Sequence, residues 1–314
     1  MKKLIIIAFG GNAILKSGQK GTIDEQRTNI RQTLEKILPL IQKGDNLIIT
    51  HGNGPQVGNI LLKNDAGARV YDVPQVPLDV AVANTQSEIG YLIQSELYNL
   101  FKQNNIEREI ISTNTMVEVS RSDKAFKNPT KRVGKTYFDG AEVMKLEKAK
   151  RWIFKEEIKD NKKGWRRVVA SPQPIDIANK NTIKLLAESG AIVIAVGGGG
   201  IPVSVENNRL QPQEAVIDKD LATSLLASQI KADQFIIMTD VQFVYLDYGT
   251  PNQKPIKTLT RKEAETLQKA GKFGEGNMAP KIQAAVKFID NGSKEVLITS
   301  LDGIQTESGT KIVK

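Results

Sequence analysis

The 314-residue chain carries 44 Lys and Arg against 35 Asp and Glu, a formal charge of +9, with one His and no Cys. Disulfides, thiolate metal sites, iron–sulfur clusters and cysteine nucleophiles are therefore excluded, as are multi-histidine zinc sites, and a Ser-His-Asp hydrolase is disfavoured. Aromatic residues at 5% argue against a base-stacking nucleic-acid surface, and no apolar run reaches the ~18 residues of a membrane-spanning helix.

Residues 3–9 form a short run that is apolar after Lys3, rich in Ile and closed by Gly10 and Gly11, the pattern of a buried strand. The run has no small-residue cleavage site behind it, so a signal peptide is not expected and a cytoplasmic location is. Thr22 and Glu25 form a capping box, and Ile30, Leu34, Ile37, Leu38 and Ile41 continue a helix to Gly44. Pro39 is expected to kink or shorten that helix. A second strand at 47–50 runs into HGNGPQVG at 51–58, followed by helices at 56–65 and 78–101 and a β-prone run at 109–119.

The stretch 121–167 holds 16 Lys and Arg and 7 Asp and Glu, so it carries the whole +9 and the remainder is neutral. Such a field suits nucleic acid, a membrane surface or a flap over an anionic small molecule. Its motifs are expected to be separated by polar turns. Alternation then resumes with a helix at 182–189, a strand at 191–196, four glycines at 197–200, a helix at 219–230 and a strand at 234–239. A turn at 247–249, helices at 260–269 and 280–290, and β-prone runs at 295–299 and 311–313 complete the chain. The pattern predicts an α/β fold with an open, mainly parallel sheet covered on both faces.

Three strands end in glycine clusters, where ligands of open α/β sheets bind and where backbone N–H groups can approach an anion. Gly10-Gly11-Asn12 fits a donor concavity for phosphate as well as a plain tight turn. The segment 52–58 is one residue longer than a dinucleotide fingerprint and lacks the acid expected about 20 residues on, which disfavours NAD. It better suits a pocket for a small planar anion, walled by glycine backbone and Asn53. His51 fits a structural hydrogen-bonding role. Gly197 to Gly200 lack the following Lys-Ser/Thr of a P-loop. Lys219 and Lys281 both fall at helix starts, where the dipole disfavours them, so each requires an anion or a carboxylate partner or is simply solvated. Lysines converging on phosphate oxygens are what phosphoryl transfer requires.

Seven segments together resemble the carbamate kinases of the amino acid kinase family: AFGGNA at 8–13, THGNGPQVG at 50–58, NPTK at 128–131, GWRRVV at 164–169, GGGGIPV at 197–203, EAVIDKDL at 214–221 and GNMAPK at 276–281. The resemblance implies an αβα sandwich over residues 1–314, with a protruding subdomain at 120–168 inserted in it. It implies reversible phosphoryl transfer between ATP and carbamate, run toward ATP in arginine breakdown by the arginine deiminase pathway, with nucleotide-bound Mg²⁺ and no protein-held metal. A homodimer that binds neither nucleic acid nor membrane is also implied. By position, Gly10, Gly11 and Asn12 would hold phosphates, and Gly52, Asn53 and Gly54 would line the carbamate end. Lys131, Lys219 and Lys281 would neutralise the transferring group, with Asp218 orienting lysines. Asp240, Tyr245, Met278 and Pro280 would surround the nucleoside. Another small-acid kinase, similar to N-acetylglutamate kinase, and a nucleic-acid-binding protein are the alternatives.

Overall fold

The computed structural model describes all residues except 1, 160, 274–277 and 294, so Gly276 and Asn277 of the last motif lie outside the described residues. Its main sheet has eight strands in the order Thr258–Thr260, Thr310–Val313, Glu295–Thr299, Gln234–Met238, Leu4–Phe9, Asn46–His51, Ile192–Ile194 and Ile110–Ser112. Every neighbouring pair is parallel except Thr310–Val313 against Glu295–Thr299. Alternation along the central strand divides the core. Ile5, Ile7 and Phe9 pack with Ile30, Leu34 and Ile37 of helix Ile23–Gln42 and with Ile89, Ile93 and Leu97 of helix Leu78–Asn104. On the opposite face, Leu4, Ile6 and Ala8 join Leu226 of helix Lys219–Gln229 and Phe288 of helix Met278–Asp290. A strand buried on both faces reads as a continuous apolar run, which is why this one was legible.

The chain leaves the central strand toward Asn46–His51 and returns to its other side at Gln234–Met238. That reversal opens a crevice at the carboxyl end of Leu4–Phe9.

Several local expectations need correction. Helix Ile23–Gln42 runs through Pro39 without being shortened. Pro39 and Glu35, whose carbonyl loses its partner, are both exposed, so water can satisfy that carbonyl. The β-prone run at 109–119 is two strands in different sheets. Ile110–Ser112 edges the main sheet, while Met116–Val119 joins a four-stranded sheet with Pro174–Ile177 and the hairpin Ile201–Glu206/Arg209–Pro212, which the sequence pattern did not suggest. Among the described residues the helix Met278–Asp290 already holds Met278 and Ala279 before Pro280, so Pro280 is not its first residue. Among the described residues, no helix is long and apolar enough to cross a membrane.

The basic stretch is ordered structure rather than polar turns. Lys131–Tyr137, Lys162–Val169 and Ile153–Lys159 form an antiparallel three-stranded sheet with helix Gly140–Lys150 between its strands in sequence. At its root the buried Arg167 side chain pairs with Glu214, and the guanidinium stacks 4.0 Å from the Trp152 ring centre. Val133 and Val169 pack with Val57, Val82 and Val216 of the body.

Candidate functional site

Three glycine-bearing turns meet in the crevice. Gly10 starts the short 3-10 turn Gly11–Ala13, and a Cβ on it would lie 2.9 Å from the Met238 carbonyl oxygen, so this close approach of two strand ends needs glycine. Gly54 begins helix Gly54–Tyr71, whose N-cap residue Asn53 makes no side-chain cap. The free N–H groups of its first turn make that end receptive to an anion. Gly198, at φ +64, lies against Asn53, where a Cβ would come within 2.2 Å of Nδ2. Just before it, Val196 takes the left-handed φ of +53, unfavourable for a β-branched residue, with its N–H donated to Thr115 Oγ1 at 3.0 Å.

A cavity of about 280 Å³ lies between these turns, lined among others by Gly11, Gly52, Asn53, Gly54, Lys131, Asp218, Lys219, Asp220, Pro280 and Lys281. Lys131 comes from the three-stranded sheet, Lys219 from the first position of Lys219–Gln229, and Lys281 from near the start of Met278–Asp290. Three elements far apart in sequence thus bring their ammonium groups to one small space.

Two acids hold them. Asp218 caps helix Lys219–Gln229 by accepting from the Asp220 and Leu221 N–H groups at 3.0 and 3.3 Å, while its other oxygen lies 3.6 Å from Lys131 Nζ. Asp220, almost fully buried, sits between the other two lysines: Lys219 Nζ is 2.5 Å from Oδ1 and Lys281 Nζ is 3.5 Å from Oδ2. The carboxylate partner required by two lysines at helix starts is therefore the same residue for both. Burial pushes the Asp220 carboxyl up, but the charges of Lys219 and Lys281 outweigh it and hold the group below the usual carboxylate range. Burial lowers Lys281, and the Lys219 charge adds to this, against the opposing pull of Asp220 and Asp218.

His51 is buried behind the cleft, with Nδ1 3.0 Å from the Gly52 carbonyl oxygen. A carbonyl only accepts, so Nδ1 carries the proton. Burial, opposed by this bond and reinforced by Lys219, brings its pKa to about 4, so the ring is neutral near pH 7 and has a structural place.

The expected site residues do not all meet. Gly11, Gly52, Asn53, Gly54, Lys131, Asp218, Lys219, Pro280 and Lys281 share the cleft. Gly10, Asn12 and Asp240 line an adjoining cavity of about 220 Å³, with Met238 and Ser300. Tyr245, in strand Val244–Leu246, has its ring 5.9 Å from that of Tyr248, and Met278 packs against the core; neither lines these two cavities. Asp218 faces Lys131, whereas the residue that spans two lysines is Asp220, which sequence reasoning left without a role. The second acid of Asp218-Lys219-Asp220 was the available signal.

Residues 3–300 match the amino acid kinase family. The chain is 44% identical over 316 residues to a carbamate kinase of Pyrococcus horikoshii, and 45% identical over 317 residues to one of Thermococcus kodakarensis, covering 99% of each chain in both cases. Among solved structures, it superposes with a TM-score of 0.93 on a carbamate kinase from Giardia lamblia bound to AMP-PNP, at 38% identity, over 100% of this chain and 99% of the other.

Proposed function

Since the chain belongs to the amino acid kinase family, and within it to the carbamate kinases, we propose that its cleft transfers a phosphoryl group reversibly between ATP and carbamate, giving ADP and carbamoyl phosphate. The observation that carries this reading is the convergence of Lys131, Lys219 and Lys281 on one cavity beside the uncapped helix start at Gly54. Such a set matches the charge spread over the equatorial oxygens of a transferring phosphoryl group.

In the direction of ATP synthesis, the bond between phosphorus and the acyl oxygen of carbamoyl phosphate breaks as a bond forms to a terminal oxygen of the ADP β-phosphate. Carbamate leaves as an anion and no proton moves, so the chemistry needs no general base. Lys219 and Lys281 are pre-placed by Asp220, and Lys131 is brought from the inserted sheet. Mg²⁺ would enter on the nucleotide, since Asp218 is engaged by helix N–H groups and Lys131, and Asp220 by two lysines. Gly10, Asn12 and Asp240 would meet the nucleotide from the adjoining cavity. Tyr245 and Met278 would border the nucleoside only if those segments approached it on binding.

The acyl phosphate is the stronger phosphoryl donor, which favours ATP formation and a place in arginine breakdown by the arginine deiminase pathway. A homodimer and a cytoplasmic location belong to the same reading. Tyr91 and Tyr98, seven residues apart on one helix face and more than half exposed, are apolar surface suited to a second copy. The deciding assay supplies carbamoyl phosphate and MgADP and follows ATP. ATP formation is expected; its absence, with ATP-dependent turnover of N-acetylglutamate instead, would overturn the assignment.

A further inference from the structure

Thr85 lies in helix Leu78–Asn104, fully buried behind the wall of the cleft. Its hydroxyl stands 2.6 Å from the Val82 carbonyl oxygen and 2.8 Å from the amide of Asn53. The carbonyl can only accept, so the one hydroxyl proton goes to Val82 and the Thr85 oxygen is left as an acceptor. The Asn53 atom facing it must then be the NH₂ group. This assignment follows from proton count and holds whichever way the amide is drawn.

With Nδ2 turned inward, Asn53 Oδ1 is the amide atom left for the cleft, and it accepts no hydrogen bond from any described residue although Asn53 is 96% buried. Gly198 packs against the same amide, where any Cβ would fall 2.2 Å from Nδ2 and 2.8 Å from Oδ1. The oxygen therefore offers a fixed acceptor to a group that can donate.

We propose that Thr85 is a positioning residue that locks the Asn53 carbonyl toward the cleft and thereby selects an acyl group bearing NH₂. The inference rests on the phosphoryl transfer proposed above and adds an orientation to it: the amino group of carbamate points to Asn53 and its carboxylate oxygens toward the lysines. An acyl group ending in methyl covers this acceptor and leaves it unpaired, a penalty that corresponds to roughly 5- to 150-fold in kcat/KM.

The test compares carbamoyl phosphate and acetyl phosphate as donors to MgADP in the wild type, Thr85→Val and Thr85→Ser. The wild type is expected to prefer carbamoyl phosphate by about that factor. Thr85→Val removes both hydrogen bonds while keeping the shape, so the amide can turn over. The kcat/KM for carbamoyl phosphate should then fall about 10-fold or more, with acetyl phosphate within about 3-fold of its wild-type value and KM for MgADP unchanged. Thr85→Ser, which keeps the hydroxyl, should restore the ratio. Should the valine variant not fold, Thr85→Ala must move the ratio in the same direction. An equal loss on both donors, or an unchanged ratio, would overturn the role of Thr85 while leaving the reaction standing. A wild type inactive on carbamoyl phosphate would remove the reaction and this inference together.

Discussion

Lys131 Nζ lies 3.6 Å from Asp218 Oδ2, an ion pair across the cleft between the three-stranded sheet and the cap of helix Lys219–Gln229. Lys131 is 42% exposed, so the pair adds little to stability, within about 1 kcal/mol. Its proposed use is on the transferring phosphoryl group. Lys131→Ala should leave the urea midpoint nearly unchanged while lowering kcat about 10²- to 10³-fold. Denaturation curves and steady-state rates on the same preparation check this, and near-normal turnover would sink the assignment.

Asp220→Asn should do the reverse and damage the fold as well as the rate. It leaves two largely buried lysines, Lys219 and Lys281, without their shared carboxylate, a loss of roughly 3–5 kcal/mol. Because the native pKa of Asp220 is lowered, its contribution is present above the ordinary carboxylate range and disappears as pH falls through the lowered value. The stability gap between wild type and variant should therefore close in strong acid. A gap independent of pH would refute the pairing.

Lys281 should set the alkaline limb of the rate profile. Its pKa is lowered chiefly by burial, so its charge is lost at a lower pH than for an exposed lysine, and activity should fall there. Lys281→Arg keeps its charge to much higher pH. The descending limb of kcat against pH should shift upward in that variant even if its neutral rate is reduced; an unmoved limb would assign it to another group.

His51 gives a stability slope on the acid side. The unfolded ring binds a proton below about 6.5 and the buried one only near 4, so the unfolded state takes up more protons between these values. Stability should fall by about 3 kcal/mol as pH drops across that window. In His51→Gln, which can still donate to the Gly52 carbonyl, the unfolding free energy should be flatter between pH 6.5 and 4. Parallel curves for the two proteins would count against a buried neutral imidazole.

Gly198→Ala tests the glycine run. A methyl group there would fall 2.2 Å from Asn53 Nδ2 in a backbone at φ +64. Steric conflict and left-handed strain should together lower stability by roughly 2 kcal/mol or more and displace the Asn53 amide. Gly11→Ala, whose Cβ would meet nothing within 4 Å, is the control expected to fold normally.

The strands that end at the cleft were legible because burial on both faces leaves an unbroken apolar run closed by glycine. Leu4–Phe9 and Asn46–His51 show this plainly. Strands with a wet face were not. Ile153–Lys159 mixes half-buried and exposed residues without a regular alternation and is rich in charge, so it passed as turn sequence. Nor does a β-prone run state which sheet its parts join, as the division between Ile110–Ser112 and Met116–Val119 illustrates. At the site, glycine turns and lysines at helix starts were visible locally. That Asp220 spans two of them depends on two helices meeting side by side, and the hydroxyl of Thr85 behind Asn53 carries no sequence mark at all.

The central position of Leu4–Phe9 bears on how the chain is made. This strand is made before both of its partners: Asn46–His51 soon covers one of its edges, but the other waits for Gln234–Met238. While the chain between those two partners is made, an apolar strand of six residues therefore presents an unpaired edge, the kind that templates aggregation. Fragments ending before that partner should be insoluble or held by chaperones, and the cleft, which needs Lys281, cannot be assembled until the chain has emerged beyond that residue.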